Sequence, residues 1–260
     1  MKGASTCSSE DERARLAQAV ERTRDGHGGL LLVSGEAGVG KSRLAAEALA
    51  ESGAIALHGA ATSGTTAPYG PIVAALRSHL RAHPHALDAC GPLREHLALL
   101  LPELGEAPPA SDRATLFEAV RCAFAQLAAD EPAVVVLDDL HWSDDTTIEL
   151  LAGLAAPLHA LSVLVIATYR SDGLPREHRL RWLRNELRRA GELDEFALEP
   201  LDLERTSALL GALLPQPPSP ALARAIYART LGSPFFVEEI VTALAGHRRV
   251  AQRPARPRAG

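Results

Sequence analysis

The residues with the clearest capacity for chemistry form one glycine-rich run near the start of the chain. It reads Gly35-Glu36-Ala37-Gly38-Val39-Gly40-Lys41-Ser42, which fits the pattern G-x-x-x-x-G-K-[ST]. Glycines at this spacing let successive backbone N–H groups point at phosphate oxygens, and the positive end of a helix beginning at Lys41 adds to the attraction. The run therefore predicts a P-loop that binds ATP with Mg²⁺. A glycine-rich turn between a strand and a helix, with no ligand, is the structural alternative.

The last residues of this run have separate predicted roles. Lys41 would place a compact positive charge against the β- and γ-phosphates, and the hydroxyl of Ser42 would ligate Mg²⁺. Arg43 follows them and completes the set of P-loop residues that we expect to contact the nucleotide. ATP and Mg²⁺ are thus the predicted cofactors.

Two adjacent carboxylates follow a second apolar run. Val134 to Leu137 is apolar, and Asp138 and Asp139 come directly after it. At the carboxyl end of a parallel strand, Asp138 is expected to hold Mg²⁺, directly or through water, and Asp139 to orient or deprotonate the attacking water. Asp139 is shorter by one methylene than the glutamate that most ATPases of this layout carry, which favours slow hydrolysis or none. The alternative is that Asp139 only caps a turn.

A further pair of candidates lies at the end of the apolar run that begins at Ser162. A parallel sheet would place the end of this strand beside the P-loop strand. We expect Thr168 to hydrogen-bond the attacking water and Arg170 to reach the γ-phosphate as a nucleotide sensor. For Arg170, a surface ion pair is the alternative.

Five short apolar runs predict the strands that must position these residues. They are Leu30–Ser34, Ala54–Leu57, Ala133–Asp138, Ser162–Thr168 and Leu193–Leu198. The helical patterns around them lie near residues 9–25, 42–52, 71–81, 116–128, 148–155 and 179–189. This alternation predicts an α/β fold of the P-loop NTPase type, with a five-stranded parallel sheet and flanking helices.

Beyond Pro200 the strand patterns stop. Leu203–Leu214, Ala221–Arg229 and Phe235–Leu244 have helical patterns, which predict a small C-terminal helical lid over residues 201–245. The predicted organisation is a disordered N-terminus at 1–9, a nucleotide-binding α/β domain at 10–200, the lid at 201–245 and a disordered basic tail at 246–260. A solvated tail is favoured over one that touches nucleic acid.

Composition narrows the class of protein. The chain has 260 residues, of which 47% are hydrophobic and 23% charged, and its apolar runs are far shorter than the ~18 residues that a membrane helix needs. Because the start resembles no secretory signal, a cytoplasmic location is expected. The net charge of −5 supplies no overall positive field for nucleic acid. The three cysteines are well separated, which predicts reduced thiols.

Two further groups of polar residues have simpler explanations. His79, His83, His85 and Cys90 have spacings that would suit a metal, but no second pair of ligands lies nearby and a proline interrupts the helix. Asp144 and the aspartate after it precede a helical segment and fit its N-cap. Neither group is assigned a catalytic role.

Five stretches together resemble the AAA+-related nucleotide-binding domain of the signal-transducing STAND ATPases, in particular that of large bacterial LuxR-type regulators. They read LLVSGEAGVGKSRL, APYGPIVAALR, VVVLDDLHWSD, VLVIATYR and LGSPFFVEEI, and the resemblance covers roughly residues 10–245. It implies an AAA+/STAND fold with a helical lid. It also implies that Gly232-Ser233-Pro234 is a Gly-x-Pro motif in which Pro234 lies against adenine. Considered without the resemblance, this turn is equally well a plain helix break.

The sequence departs from that family at two places. Family members usually open with a Val-Gly-Arg-Glu type motif, whereas this chain has Ser8-Ser9-Glu10-Asp11, so the usual N-terminal arginine contact is not expected. Weaker adenine binding would follow. Large regulators also continue into a winged helix, a repeat domain and a DNA-binding helix-turn-helix. No such pattern is evident here, and the chain could be a fragment of such a regulator.

These observations together predict a regulatory switch. ATP would close the lid, hydrolysis or exchange would open it, and a protein partner or an appended output domain would read the difference, with ATP-dependent self-association as one form of readout. The alternative is an autonomous AAA+ ATPase that couples steady hydrolysis to remodelling of a partner. Asp139 and the family resemblance favour the switch. A transcription regulator in its own right is not favoured, because no basic recognition helix is evident.

Overall fold

The structure, a computed structural model, describes residues 10–64 and 67–251, of which 10 and 245–251 are described as backbone only. Its strands are β1 (Gly29–Gly35), β2 (Ile55–Ala60), β3 (Ala133–Asp138), β4 (Val163–Arg170) and β5 (Asp194–Leu198). Its helices are α1 (Glu10–Arg24), α2 (Lys41–Glu51), α3 (Gly70–Leu80), α4 (Leu93–Leu97), α5 (Arg113–Leu127), α6 (Asp145–Leu158), α7 (Arg179–Ala190), α8 (Leu203–Leu213), α9 (Pro220–Thr230) and α10 (Pro234–Ala251).

The described residues form two compact units. The sheet unit comprises residues 10–35 and 41–197, and the lid unit comprises residues 36–40 and 198–251. The lid unit thus contains the middle of the glycine-rich run as well as the three C-terminal helices. The predicted disordered segment at 1–9 lies outside the described residues.

The sheet unit contains a five-stranded parallel sheet in the order β2-β3-β4-β1-β5. In its register Leu137 of β3 lies opposite Ala167 of β4, and Gly35 of β1 lies opposite Arg170 of β4. β1 and β3 are buried along their whole length, as expected for uninterrupted apolar runs covered on both faces. The predicted fold class is confirmed, and so is the predicted adjacency of the P-loop strand and the strand that carries Thr168.

The edge strand β2 is longer than the sequence predicts. It continues to Ala60, whereas the prediction ended it at Leu57. Leu57 is fully buried, but the residues around it alternate between exposed and buried. Because only one face of this strand is covered, its continuous apolar signal is too short to mark the whole element. The extension brings His58 into the strand.

Several helices begin at a side chain that accepts a backbone N–H. In the sheet unit Asp112 caps α5 and Asp144 caps α6. In the lid unit Asp202 caps α8 and Ser219 caps α9. The predicted capping role of Asp144 is therefore confirmed.

The basic helix α7 uses its charges within the sheet unit. Each of its arginines donates to an acceptor of that unit. The acceptors are Glu149 for Arg179, the carbonyl groups of Leu174 and Pro175 for Arg181, Glu195 for Arg184, Asn185 for Arg188 and Glu186 for Arg189. The helix thus offers no stripe of unpaired arginines of the kind that contacts nucleic-acid phosphates.

The lid unit packs α8, α9 and α10 around a small core and one tight turn. Its core includes Leu209, Leu210, Ala223, Ile226 and Val237. The N–H of Leu201 donates to the carbonyl oxygen of Gly232 at 2.9 Å. Gly232 has a φ of +80°, and a Cβ there would lie 1.8 Å from the carbonyl oxygen of Leu201. The turn before α10 therefore requires glycine.

The last helix extends further than predicted. The sequence analysis began the disordered tail at residue 246, but α10 continues to Ala251. Its two arginines favour helix, and basic residues near a helix C-terminus complement its dipole. The predicted boundary is therefore corrected, and residues 252–260 lie outside the described part of the chain.

Candidate functional site

The P-loop is a bend whose shape depends on its glycines. Gly38 and Gly40 have φ values of +75° and +104°, in the region that residues with a Cβ avoid. Glu36 and Ala37 are exposed and Val39 is buried, so the loop is anchored by one apolar side chain. α2 begins at Lys41, directly after the loop. A glycine-rich bend that leads into a helix N-terminus is the arrangement that binds phosphate.

Lys41 is the buried cation of the site. It is 7% exposed, and its Nζ donates to the carbonyl oxygen of Gly35 at 2.8 Å. Burial lowers the pKa of Lys41; Asp139 opposes this effect and Arg170 reinforces it. A bound anion would favour the charged ammonium in the same way as Asp139 does. Lys41 is therefore a buried cation whose charge an incoming phosphate would stabilise.

Asp138 ends β3 and accepts hydrogen bonds from both neighbouring strands. Thr168 of β4 donates from Oγ1 to Asp138 Oδ1 at 2.6 Å. His58 of β2 lies with Nε2 3.1 Å from Asp138 Oδ2. The carboxylate is almost fully buried, and each of its two oxygens has one hydrogen-bond partner in the protein. The strand order β2-β3-β4 produces this arrangement.

Thr168 joins the two aspartates. Besides donating to Asp138, its Oγ1 accepts the backbone N–H of Asp139 at 3.1 Å. The side chain is fully buried. The hydroxyl donates its one proton to Asp138 but keeps a second lone pair that water could reach as a donor, so the predicted hydrogen bond between Thr168 and the attacking water stays a prediction. In this structure Thr168 connects the two aspartates.

Asp139 has an unusual backbone conformation. Its φ of +57° and ψ of +41° are left-handed, a region that few non-glycine residues enter and in which Asp and Asn are enriched. It precedes a short 3₁₀ turn at Leu140–Trp142, yet its side chain makes no capping hydrogen bond. The alternative that Asp139 only caps a turn is therefore not supported. Its carboxylate is 38% exposed and can be reached by water.

Arg170 ends β4 opposite the start of the P-loop. Within the described part of the chain its guanidinium makes no ion pair, so the alternative of a surface ion pair is not supported. Its backbone N–H donates to Nδ1 of His141 at 3.4 Å. His141 is 3.7 Å from Asp139 Oδ1, and burial lowers the pKa of His141. His141 therefore links the ends of β3 and β4.

The donor set around Asp138 fits Mg²⁺. Ser42 is exposed at the first turn of α2, and Asp138 offers carboxylate oxygens that each retain a lone pair beyond the protein hydrogen bond. Mg²⁺ prefers oxygen ligands and keeps several waters alongside substrate phosphates, so it needs no larger cage. Among the described residues, no group of three or more His, Cys, Asp or Glu side chains could hold a metal ion.

Two hydrogen bonds within the lid unit join the turn before α10 to the middle of the glycine-rich run. Ser233 Oγ donates to the carbonyl oxygen of Gly38 at 3.3 Å, and the N–H of Phe235 donates to the same oxygen at 3.2 Å. Pro234, between them, is the first residue of α10. The predicted contact of Pro234 with adenine stays a prediction. Arg43 forms an ion pair with Glu47, and its predicted nucleotide contact also stays a prediction.

The sheet unit contains eight of the fourteen predicted site residues. These are Gly35, Lys41, Ser42, Arg43, Asp138, Asp139, Thr168 and Arg170. Sequence analysis missed two residues beside them, His58 and His141. Position 58 lay beyond the predicted end of its strand. His141 was missed because the turn that follows β3 could not be predicted from the sequence.

Comparison with known proteins identifies the family of the chain. Residues 8–166, more than half of the chain, match the family described as AAA ATPase domain. The chain is also 27% identical to an uncharacterized protein, R02095, of Rhizobium meliloti (strain 1021); the match covers 89% of this chain and 24% of that protein. The chain therefore spans about a quarter of the length of this curated relative.

Two solved structures illustrate the structural likeness. The ORC2 protein of Aeropyrum pernix, in ADPNP–ADP complexes, aligns with a TM-score of 0.55 at 13% identity, covering 93% of this chain and 62% of that one. A STAND protein with a tetratricopeptide repeat sensor from Pyrococcus horikoshii aligns with a TM-score of 0.49 at 17% identity, covering 87% and 32%. At 13% identity, the likeness to ORC2 supports the fold alone. In the described part of the chain, no helix is both long and apolar enough to cross a membrane.

Proposed function

Because the chain belongs to the AAA ATPase domain family, we propose that it is a Mg²⁺-ATP-binding switch module of a STAND-type signal-transduction ATPase, and that it hydrolyses ATP slowly. Nucleotide binding follows from the family. The STAND assignment is supported by the sequence stretches that run from the P-loop to LGSPFFVEEI. We further propose that a protein partner or an output domain reads the nucleotide state, either directly or through ATP-dependent self-association.

The observation that carries the proposal is the distribution of charge at one edge of the sheet. Lys41 and Arg170 are cations, and the Arg170 guanidinium has no ion-pair partner among the described residues. Asp138 and Asp139 lie on the neighbouring strand end. Two cations suit the phosphates, and two carboxylates suit a metal ion and a water molecule. A glycine-rich turn that binds no ligand would not require a buried lysine, whose burial costs free energy.

Each residue then has a defined part in the reaction. The Lys41 ammonium binds the β- and γ-phosphates, exchanging the Gly35 carbonyl for a phosphate oxygen, and the P-loop N–H groups orient them. Ser42 and Asp138 would hold Mg²⁺, which when bound neutralises charge on the phosphates. Asp139 accepts a proton from the attacking water, and Arg170 stabilises the charge that develops on the γ-phosphate.

The geometry of Asp139 supports slow hydrolysis. Its backbone is held in a left-handed conformation by the hydrogen bond from its N–H to Thr168. That hydrogen bond fixes the backbone position of Asp139. From the same backbone position, the carboxylate of an aspartate reaches less far than that of a glutamate. A general base must come within about 3 Å of the oxygen of the water from which it takes a proton. A base that reaches the water only part of the time would give a long-lived ATP state, which suits a switch.

The experiment that tests nucleotide binding compares the thermal stability of Lys41→Met with that of the natural protein. A ligand present at about 100 times its Kd adds about 2.7 kcal/mol to the free energy of unfolding. We expect this ATP-dependent increase to disappear in Lys41→Met, which keeps the apolar stem but lacks the charge. Arg224→Met, on α9, is the control and should keep the increase. An unchanged response in Lys41→Met would refute the assignment of the P-loop.

The switch is tested by measuring turnover together with mass. We expect a steady-state rate far below the ~1 per second typical of driven enzymes, and no ATP-dependent ring. Asp139→Asn should retain the ATP-dependent stabilisation and lose the remaining hydrolysis. Turnover of Asp139→Asn at the natural rate would show that another residue is the base. A fast rate together with a stable ring would favour an autonomous remodelling ATPase instead.

A further inference from the structure

The Asp138 carboxylate is held from two sides by residues of different strands. Thr168 reaches Oδ1 from β4, and His58 reaches Oδ2 from β2. β2 and β4 flank β3 in the sheet, and the register places Asp138 opposite Ala60, two residues beyond His58. The His58 side chain therefore points to Asp138 from the outer edge of the sheet. The roles proposed above do not account for the contact between His58 and Asp138.

The direction of the His58 contact follows from chemistry. An ionised carboxylate can only accept hydrogen bonds, so the imidazole must donate from Nε2. Thr168 likewise donates to the other oxygen. Two donors on two different oxygens fix both the rotation and the plane of the carboxyl group. One donor alone would leave the group free to pivot about its bond to that donor.

The position of His58 argues against a role in packing. Its side chain is 55% exposed, whereas its neighbour Leu57 is fully buried in the core. An exposed histidine on an edge strand contributes little to the hydrophobic core. Among the described residues, the hydrogen-bond partner of the His58 side chain is Asp138. The His58 side chain therefore contributes more to the orientation of the Asp138 carboxylate than to the stability of the fold.

We infer that His58 is a positioning residue that orients Asp138 toward Mg²⁺ in the nucleotide complex. The inference rests on the proposed function, because it assigns a partner to the residue that would hold the metal. Groups that hydrogen-bond a metal ligand set its orientation, and their removal typically weakens metal affinity or activity 10- to 100-fold. Thr168 supplies one half of this support and His58 the other.

The test measures Mg²⁺ affinity separately from the fold. A fluorescent ATP analogue is bound to the full chain, and the Mg²⁺ concentration for half-maximal binding is determined by titration. We expect His58→Ala to raise this concentration about tenfold or more, while the melting temperature without nucleotide stays close to that of the natural protein. His58→Gln, whose amide N–H₂ can donate from a similar position, should restore most of the Mg²⁺ affinity.

The control is His85→Ala, which removes a histidine that is 89% exposed and pairs with Asp88. It should leave the Mg²⁺ titration unchanged. If the natural protein binds the analogue in a Mg²⁺-dependent manner and His58→Ala has the same half-saturation, the inference about His58 is overturned while the proposed function stands. If the natural protein shows no Mg²⁺-dependent binding, both are overturned. A gain in His58→Gln over His58→Ala supports hydrogen bonding as the mechanism.

Discussion

Replacing Thr168 with valine tests the central hydrogen-bond arrangement of the site. Valine has nearly the same shape as threonine, so it fills the same space on β4 but can neither donate nor accept. In the structure the Thr168 hydroxyl donates to Asp138 and accepts from the N–H of Asp139. The substitution therefore removes two hydrogen bonds at once from a side chain that is fully buried.

The magnitude follows from these two bonds. A hydrogen bond to a charged group contributes about 1.5–3 kcal/mol to stability, and an unsatisfied buried N–H costs about 1–3 kcal/mol. We take the lower end, about 1 kcal/mol, for the N–H of Asp139, because its hydrogen bond to the Thr168 hydroxyl joins two neutral groups. The added methyl group of valine returns about 0.8 kcal/mol of burial energy. We expect the free energy of unfolding of Thr168→Val to fall by about 2–3 kcal/mol.

The assay is urea unfolding followed by circular dichroism, with Thr168→Ser as the matched control. Serine keeps the hydroxyl and loses one methyl group, which should cost about 0.8 kcal/mol. We also expect Thr168→Val to lose Mg²⁺-dependent ATP binding and Thr168→Ser to keep it. Equal stability of the valine and serine variants would refute the role assigned to the hydroxyl. So would a stabilised Thr168→Val, since that would mean that the polar contacts contribute nothing net.

Two further predictions concern other parts of the chain. In thermal unfolding, Gly232→Ala should destabilise the lid unit far more than the control Gly173→Ala destabilises the protein. Both glycines have a left-handed φ, but of the two only Gly232 leaves no space for a Cβ. Similar losses of stability in the two variants would contradict the packing described for Gly232. Burial, together with the side-chain interaction with Cys122, raises the pKa of Cys90 to about 12. Since the ordinary value is 9.0, stability should fall as pH rises from 9.0 towards 12. Native Cys90 should resist iodoacetamide at about pH 8.5 and react once unfolded; rapid native labelling would contradict it.

The sheet was predictable because its inner strands are covered on both faces. β3 was predicted with its observed bounds, since Ala133 to Leu137 is apolar throughout and Asp138 marks its end. The edge strand β2 was not, because one of its faces lacks a partner and its apolar pattern breaks at His58. α4, only five residues long, was missed for a similar reason. Periodicity needs more residues than a single turn provides.

The site was predictable in its members and less so in its contacts. The P-loop, Asp138, Asp139 and Arg170 follow from motifs and strand ends. That Thr168 donates to Asp138 depends on the register between β3 and β4, which no local pattern specifies. The same holds for His58, which is distant in sequence from Asp138. Cys90 and Cys122 likewise approach each other only in the folded chain, where both are free thiols.

The left-handed backbone at Asp139 has a consequence for how the chain can change over generations. Asparagine adopts this conformation as readily as aspartate, and glycine more readily still. Both are one nucleotide away from an aspartate codon. Either substitution therefore removes the carboxylate without straining the backbone, and cellular quality control of folding would not eliminate the mutant. Only selection on the chemistry of the site can preserve the acid. Under the proposed function, a related protein with asparagine at this position would bind nucleotide without resetting by hydrolysis.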